Sequence, residues 1–427
     1  MTIPLLHSLL RRHTGLAAMA TAVALVAAPA ASAESTASPA STQTSSLTPS
    51  QAPPRTPPQA APRTPHPCRT HDALRRSVHH LVTHDRIAGA AVLVDGAGRD
   101  AACARWSVTD GVADLRTDRP MNTTDRLRIG SVTKTFTATV VLQLAAERRL
   151  SLDAPVERYL PGLIRGSGYD GRRITVRQIL QHTSGLPDYL DTPVWDHPER
   201  LRYRHFEPRE LVARALRLPH PKRTWHYATT NYLIAGLIVH AVTGHTPETE
   251  ITRRIITPLG LHDTYWPGDD PRVQGPHSHS YFVADDGRRT DGTSWNMTFG
   301  GTGGALVSTP ADLNRFAAAL FGGRLLPAAQ LAQMRRTVAA DPDRLWPGAR
   351  YGLGLISSPL SCGGTWWGHA GTVPGGHRAL VAVGPGGRGV AVALNEIPAT
   401  LQAEQDFLDV VDKALCEGRT SERQDIA

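Results

Sequence analysis

Apolar residues recur at helical spacing over His71–Val82, placing Leu74, Val78 and Leu81 on one face. Two β-type runs follow, Ala90–Val94 and Ala102–Val108, joined by the turn-forming Asp95-Gly96-Ala97-Gly98. A helix is predicted from Ser131 to about Arg148, with Phe136, Val140 and Leu144 facing one way. From there to about residue 290 the pattern alternates helix and loop: Val176–Gln181, Pro208–Leu216, Asn231–Thr243 and Thr249–Ile256. Ala311–Phe321 and Pro327–Met334 are further helices, His377–Val383 and Gly389–Leu394 are strands, and Ala403–Leu415 closes as a helix. Strands at both ends of a helical middle predict one interrupted α/β (α+β) domain. Its antiparallel sheet would be flanked by helices and carry a mainly helical insertion over about 147–300.

The termini break this pattern. Arg11 and Arg12, the small apolar run from Gly15 to Val26 and Ala31-Ser32-Ala33 read as a cleavable export signal over 1–33. The run is shorter than the roughly 20 residues a membrane span requires. The paired arginines leave the export route open. Residues 34–67 are dominated by Ser, Thr, Pro, Ala and Gln, too polar to bury a core, and read as an extended spacer. The folded domain is then expected over 68–416, with a polar tail over 417–427. A product outside the cytoplasmic membrane follows, soluble or loosely held by the wall.

Four cysteines in such a chain suggest two disulfides with three possible connectivities. Cys68–Cys103 and Cys362–Cys416 are preferred, because each pair would tie a terminal helix to a strand approach. The net charge of +8 is spread along the chain. It forms no basic stripe with interleaved aromatics, so a nucleic-acid partner is not expected, whereas anionic envelope polymers suit it. Lys134, Lys222 and Lys413 are the only lysines in an arginine-rich chain. A lysine can give up its proton where an arginine cannot, which draws attention to Lys134.

Several signatures fail. No serine lies in G-x-S-x-G, and H-E-x-x-H and a P-loop are absent. Gly384, Gly386 and Gly389 match a dinucleotide fingerprint but sit between two strands, as a hairpin turn would. His79, His80 and His84 cluster near one helix without a carboxylate to complete a metal set, so no metal and no cofactor are expected.

Three segments carry chemistry. Ser131-Val132-Thr133-Lys134 sets a hydroxyl and an amine one helical turn apart at a helix start, where free N–H groups favour an oxyanion. Ser131 is the candidate nucleophile and Lys134 its proton acceptor; a mere helix cap is the plainer alternative. Tyr227, in Trp225-His226-Tyr227-Ala228-Thr229, stands before an apolar helix, and beside a lysine its pKa is expected to fall. His369-Ala370-Gly371-Thr372 offers a glycine for close approach and backbone N–H groups for an oxyanion hole.

Together these segments resemble the serine D,D-peptidases and class C β-lactamases, with their S-x-x-K, Y-x-N and K/H-x-G motifs. Ile174–Leu186, Gly303–Thr309 and Tyr351–Leu355 are similar to further family segments. The resemblance implies catalytic roles for Ser131, Lys134, Tyr227 and His369, the last tuning Tyr227. Thr229, Gly371, Thr372 and Trp295 become substrate-binding candidates, with the Ser131 and Thr372 N–H groups as oxyanion hole. It implies a D-alanyl-D-alanine carboxypeptidase acting on peptidoglycan stem peptides, or a related esterase, β-lactamase or D-amino-acid amidase. β-Lactams are expected to acylate it, and a monomer is expected. Two residues depart from the pattern: Thr229 replaces the usual Asn, and Ile356 stands where related carboxypeptidases place a carboxylate-binding arginine. Arg378 is one candidate replacement for that charge. A wall-binding or penicillin-sensing module is the rival reading, opposed by the intact Ser131, Lys134 and Tyr227.

Overall fold

The computed structural model describes residues 71–96, 104–284 and 286–417. The export signal, the spacer and the proposed Cys68–Cys103 bridge lie outside the described residues.

Helix α1 (Asp72–Thr83) leads into β1 (Gly89–Asp95), β2 (Arg105–Asp114) and β3 (Arg119–Pro120). After the helical middle the chain returns through β4 (Val338–Ala339), β5 (Arg350–Tyr351) and β6 (Ile356–Pro359). It then forms β7 (Thr365–Thr372), β8 (Arg378–Val383) and β9 (Gly389–Leu394). These nine strands form one antiparallel sheet in the order β4-β5-β6-β7-β8-β9-β1-β2-β3. The first strands and the last meet at its centre, where Val92 pairs with Val392 of β9 and Val108 of β2. That pairing closes the interrupted domain.

Alternation sorts the sheet's side chains onto two buried faces. Ala90, Val92, Leu380, Ala382, Val390 and Val392 pack with α1 and the last helix, Leu401–Cys416. Ala91, Ala379, Val381, Ala391 and Ala393 face the helical region, including the helices Thr133–Ala146 and Pro310–Phe321. Local signals set the helix starts. Thr309 and Thr400 cap their helices through Asp312 N and Ala403 N, and Pro310 occupies the first turn. Helix Thr133–Ala146, here α2, is buried along nearly its whole length, which explains why it reads as apolar rather than amphipathic.

The expected elements that fall on described residues recur with shifted ends, while the turn expected at 95–98 and the start of the strand expected over 102–108 lie partly outside them. The helix expected at Ser131 begins as a 3₁₀ turn, Gly130–Val132, and becomes α-helical at Thr133. The segment Thr249–Ile256 is an α-turn continuing as a π-helix over Thr252–Ile256. Cys362 and Cys416 form the expected disulfide, bridging the β6–β7 loop to the last helix with Cα atoms 5.6 Å apart. The bridge spans 54 residues. Replacing both cysteines by serine should therefore lower unfolding stability by about 2–4 kcal/mol, measured by denaturant titration. An unchanged midpoint would mean that the helix is held by packing alone.

Candidate active site

Ser131 lies in the 3₁₀ turn and is part-exposed. Lys134 follows on the first turn of α2, fully buried, with Nζ 3.1 Å from Ser131 Oγ and 2.8 Å from the Gly303 carbonyl. Burial drives its pKa down to about 7, partly offset by the Asp188 carboxylate. The amine thus exchanges its proton near neutrality, beside a hydroxyl it can deprotonate.

Tyr227 precedes helix Thr229–Thr243, and its ring lies 5.0 Å from Lys134 Nζ. Burial dominates and pushes the Tyr227 pKa well above the ordinary value, with Ser131 pulling the other way. The expectation of a lowered pKa is corrected: Tyr227 is a phenol at neutral pH, a proton donor. Its hydroxyl has no partner of good hydrogen-bond geometry among the described residues.

His182, the C-cap of helix Val176–Gln181, fixes this tyrosine segment. Its Nδ1 accepts from Ala228 N at 3.2 Å and lies 3.1 Å from Asn231 Nδ2, and its carbonyl accepts from His226 N. Those donors place the ring proton on Nε2. The imidazole lies against Tyr227, ring centroids 4.3 Å apart, and burial keeps it neutral. Asp188 accepts from Thr229 N at 2.9 Å and Leu190 N at 3.2 Å. Burial and the neighbouring Asp191 raise its pKa.

Strand β7 brings the third segment. Val373 N donates to His377 O, so by the antiparallel alternation Thr372 N–H turns away from β8, toward the edge β6 does not reach. Gly130 and Gly371 let this edge close on Ser131. A Cβ on Gly371 would lie 1.9 Å from Ile129 O and 2.8 Å from Ser131 N. Gly130 adopts φ 49° and lies against the Thr372 backbone. The backbones of Ser131 and Thr372 are thus brought close together at the nucleophile, the placement expected of an oxyanion hole. Gly371→Ala should lower kcat by about 10²–10³-fold; an unchanged kcat would exclude this edge from catalysis.

His369 differs from expectation. Its Nδ1 donates to Ala370 O at 2.6 Å, which leaves Nε2 to accept from the Tyr351 hydroxyl at 2.9 Å. Burial keeps it neutral. Its hydrogen bond goes to Tyr351 instead of Tyr227, whose ring centroid lies 6.4 Å away. It positions the site through Tyr351. Thr229 stands at the catalytic group, because a Cβ on Gly303 would lie 2.7 Å from Thr229 Cγ2 and 3.3 Å from Lys134 Nζ. Trp295 is only 1% exposed and packs on Phe282, Arg202 and Gly375, none of them in the catalytic group. Ile356 is fully buried. Arg378 is buried too, and its charge is held by Glu404 and the Phe407 ring.

Sequence reasoning missed His182, Asp188, Gly303 and Tyr351 as site residues, although three of them lie in the segments quoted for the resemblance. Asp188, two residues beyond one such segment, gave no signal of its own.

A nucleophilic serine, a neutralisable lysine, a protonated tyrosine and paired backbone donors define a serine hydrolase. The profile of the beta-lactamase family matches residues 74–408, and the chain belongs to that family. It is similar to penicillin-binding protein 4 of Amycolatopsis lactamdurans, at 32% identity over 76% of this chain and 82% of that protein. A D-aminopeptidase of Cereibacter sphaeroides is 30% identical over 51% of this chain and 42% of its own length. Among solved structures, a D-stereospecific amidohydrolase from Streptomyces sp. superposes with a TM-score of 0.73 at 36% identity, covering 82% of this chain and 99% of that one.

Proposed function

We propose that the protein cleaves the amide bond following a D-amino-acid residue, through an acyl-enzyme on Ser131. The observation that carries the chemistry is Lys134 Nζ, 3.1 Å from Ser131 Oγ, with its pKa brought down to about 7. The substrate class is supported by the likeness to the D-stereospecific amidohydrolase. It is also supported by the buried Ile356, which offers no charge to a terminal carboxylate.

Neutral Lys134 takes the hydroxyl proton as Ser131 Oγ bonds to the substrate carbonyl carbon, and the carbonyl π electrons move onto oxygen. The Ser131 and Thr372 amides hold that oxyanion. Collapse breaks the C–N bond, and Tyr227 delivers a proton to the leaving amine, regaining one from Lys134. Water then attacks the ester by the same route, and the acid departs from Ser131.

The base must be neutral to act. Below about pH 7, kcat/KM should therefore fall about tenfold per unit as Lys134 becomes protonated, and level off above it. A profile flat from pH 5 to 8 would remove Lys134 as the base.

A second reading is a D-alanyl-D-alanine carboxypeptidase on peptidoglycan stems, favoured by the similarity to penicillin-binding protein 4. The leader-like Arg11–Ala33 segment supports a location outside the cytoplasmic membrane, where such stems lie. No helix of the described residues is long and apolar enough to cross a membrane. β-Lactams and small esters would acylate the same serine. The deciding experiment compares D-phenylalanine amide, its L-enantiomer and a stem peptide ending in D-Ala-D-Ala. Faster release from the D-amide than from the other two supports the first reading. D-Alanine release without amidase activity would replace it by the second.

A further inference from the structure

Far from Ser131 in the sequence, the end of α1 gathers two imidazoles and a carboxylate. His80, His84 and Asp85 each place one potential ligand atom within 4.8 Å of the others. From sequence no carboxylate was expected to complete the histidine cluster; Asp85, directly after the helix cap His84, supplies one. Spacing explains the cluster: His80 and His84 stand one turn apart, and the chain leaves the helix at Asp85. The two rings stack with centroids 4.3 Å apart.

Asp85 supplies an independent sign. Its side chain is only 4% exposed, yet its Oδ2 is buried without a hydrogen-bond partner among the described residues. Its Oδ1 pairs with His84 Nδ1 at 3.1 Å. A buried carboxylate oxygen without a donor costs free energy that a bound cation would return. Across the interface, Asp406 of the last helix lies 3.5 Å from His80 Nε2. The approaching atom is its Oδ2, which is buried and has no hydrogen-bond partner among the described residues.

We propose that His80, His84 and Asp85 bind a divalent transition-metal ion, zinc being the best match, with Asp406 orienting the His80 ring. Two imidazole nitrogens and one carboxylate oxygen suit borderline ions of this kind. A tetrahedral ion with bonds of about 2.0–2.2 Å needs its ligand atoms about 3.4 Å apart. Both rings are exposed, at 47% and 65% of their side-chain surface, and so are free to turn toward a shared ion. The carboxylate behind His80 supplies the second-sphere contact that fixes a ligating imidazole. Three protein ligands leave the fourth position to water. Bound there, the ion joins the end of α1 to the helix carrying Asp406 and stabilises the packing of the two terminal helices.

The test is calorimetric titration of Zn²⁺ into the full chain, made without an affinity tag, with Mg²⁺ as the oxygen-preferring control. One equivalent of zinc should bind and raise the unfolding temperature, while magnesium has no effect. His84→Ala and Asp85→Asn should each weaken zinc binding by at least about tenfold, and Asp406→Asn by about tenfold. His79→Ala should leave binding unchanged, because His79 pairs with Asp110 outside the cluster. Circular dichroism of the apo variants shows whether each has folded. Zinc binding of equal strength in the folded His80→Ala/His84→Ala double variant would overturn the proposal, as would the absence of any binding.

Discussion

Ser131→Ala is expected to slow turnover of every substrate by about a millionfold, the scale on which nucleophile removal acts in serine hydrolases. It is also expected to leave the fold intact. Lys134 Nζ would keep its 2.8 Å bond to the Gly303 carbonyl, so the substitution strands no buried amine. Ser131 is part-exposed and carries a small side chain, so truncation opens little cavity. Steady-state rates on a D-amino-acid amide would show the loss, with thermal unfolding as the control. Intact-protein mass after incubation with a β-lactam gives a second readout. The parent chain should gain the mass of one acyl group, and the variant none. Acyl transfer surviving in the variant would move the nucleophile elsewhere, and with it the roles assigned to Lys134 and Thr372.

The sheet's centre was legible because its strands obey simple patterns. Gly389–Leu394 reads as a buried run and is one, and Gly89–Asp95 lies within a residue of the expected strand at each end. Strand β7 was not read from pattern, because Gly368 and Gly371 make Thr365–Thr372 look like a turn. Those glycines reflect tertiary crowding: a Cβ on Gly368 would lie 1.8 Å from Val381 O, and one on Gly371 would strike Ile129 O. Nothing local announces such contacts. Strands of two residues, such as Arg350–Tyr351, are likewise set by their neighbours.

The same division holds in the site. Ser131 and Lys134 share a helical turn, so spacing alone brings them together. The distance between Lys134 and Tyr227 depends on how two helices pack, and the electrostatics depend on burial that no motif displays. Tyr227, expected to act as both base and acid through a lowered pKa, is a buried phenol whose pKa is raised, and His369 bonds to Tyr351 rather than to Tyr227. Asp188 belongs to this second kind. It is a buried carboxylate whose field reaches Lys134, yet it is held by backbone amides that sequence cannot rank.

Lys134→Arg is the sharper test of how the proton moves. Arginine keeps the positive charge and two or more donors, but it cannot release its proton in a protein. If Lys134 served only to hold charge near Ser131, arginine should preserve much of the acylation rate, and Lys134→Met should lose it. If the lysine must accept the serine proton, both variants should fall together, by about ten-thousandfold. The structure favours the second outcome, since burial drives the amine toward its neutral form and Gly303 O holds Nζ facing Ser131 Oγ. Methionine matches the chain length without a charge, so it also reports whether the buried site tolerates the substitution. Stopped-flow acylation by a chromogenic cephalosporin measures the step directly, with circular dichroism confirming that both variants fold. An arginine variant acylating within about tenfold of the parent rate would make the base another group. The phenol of Tyr227, buried and protonated, would then need a route to lose its proton that its surroundings oppose.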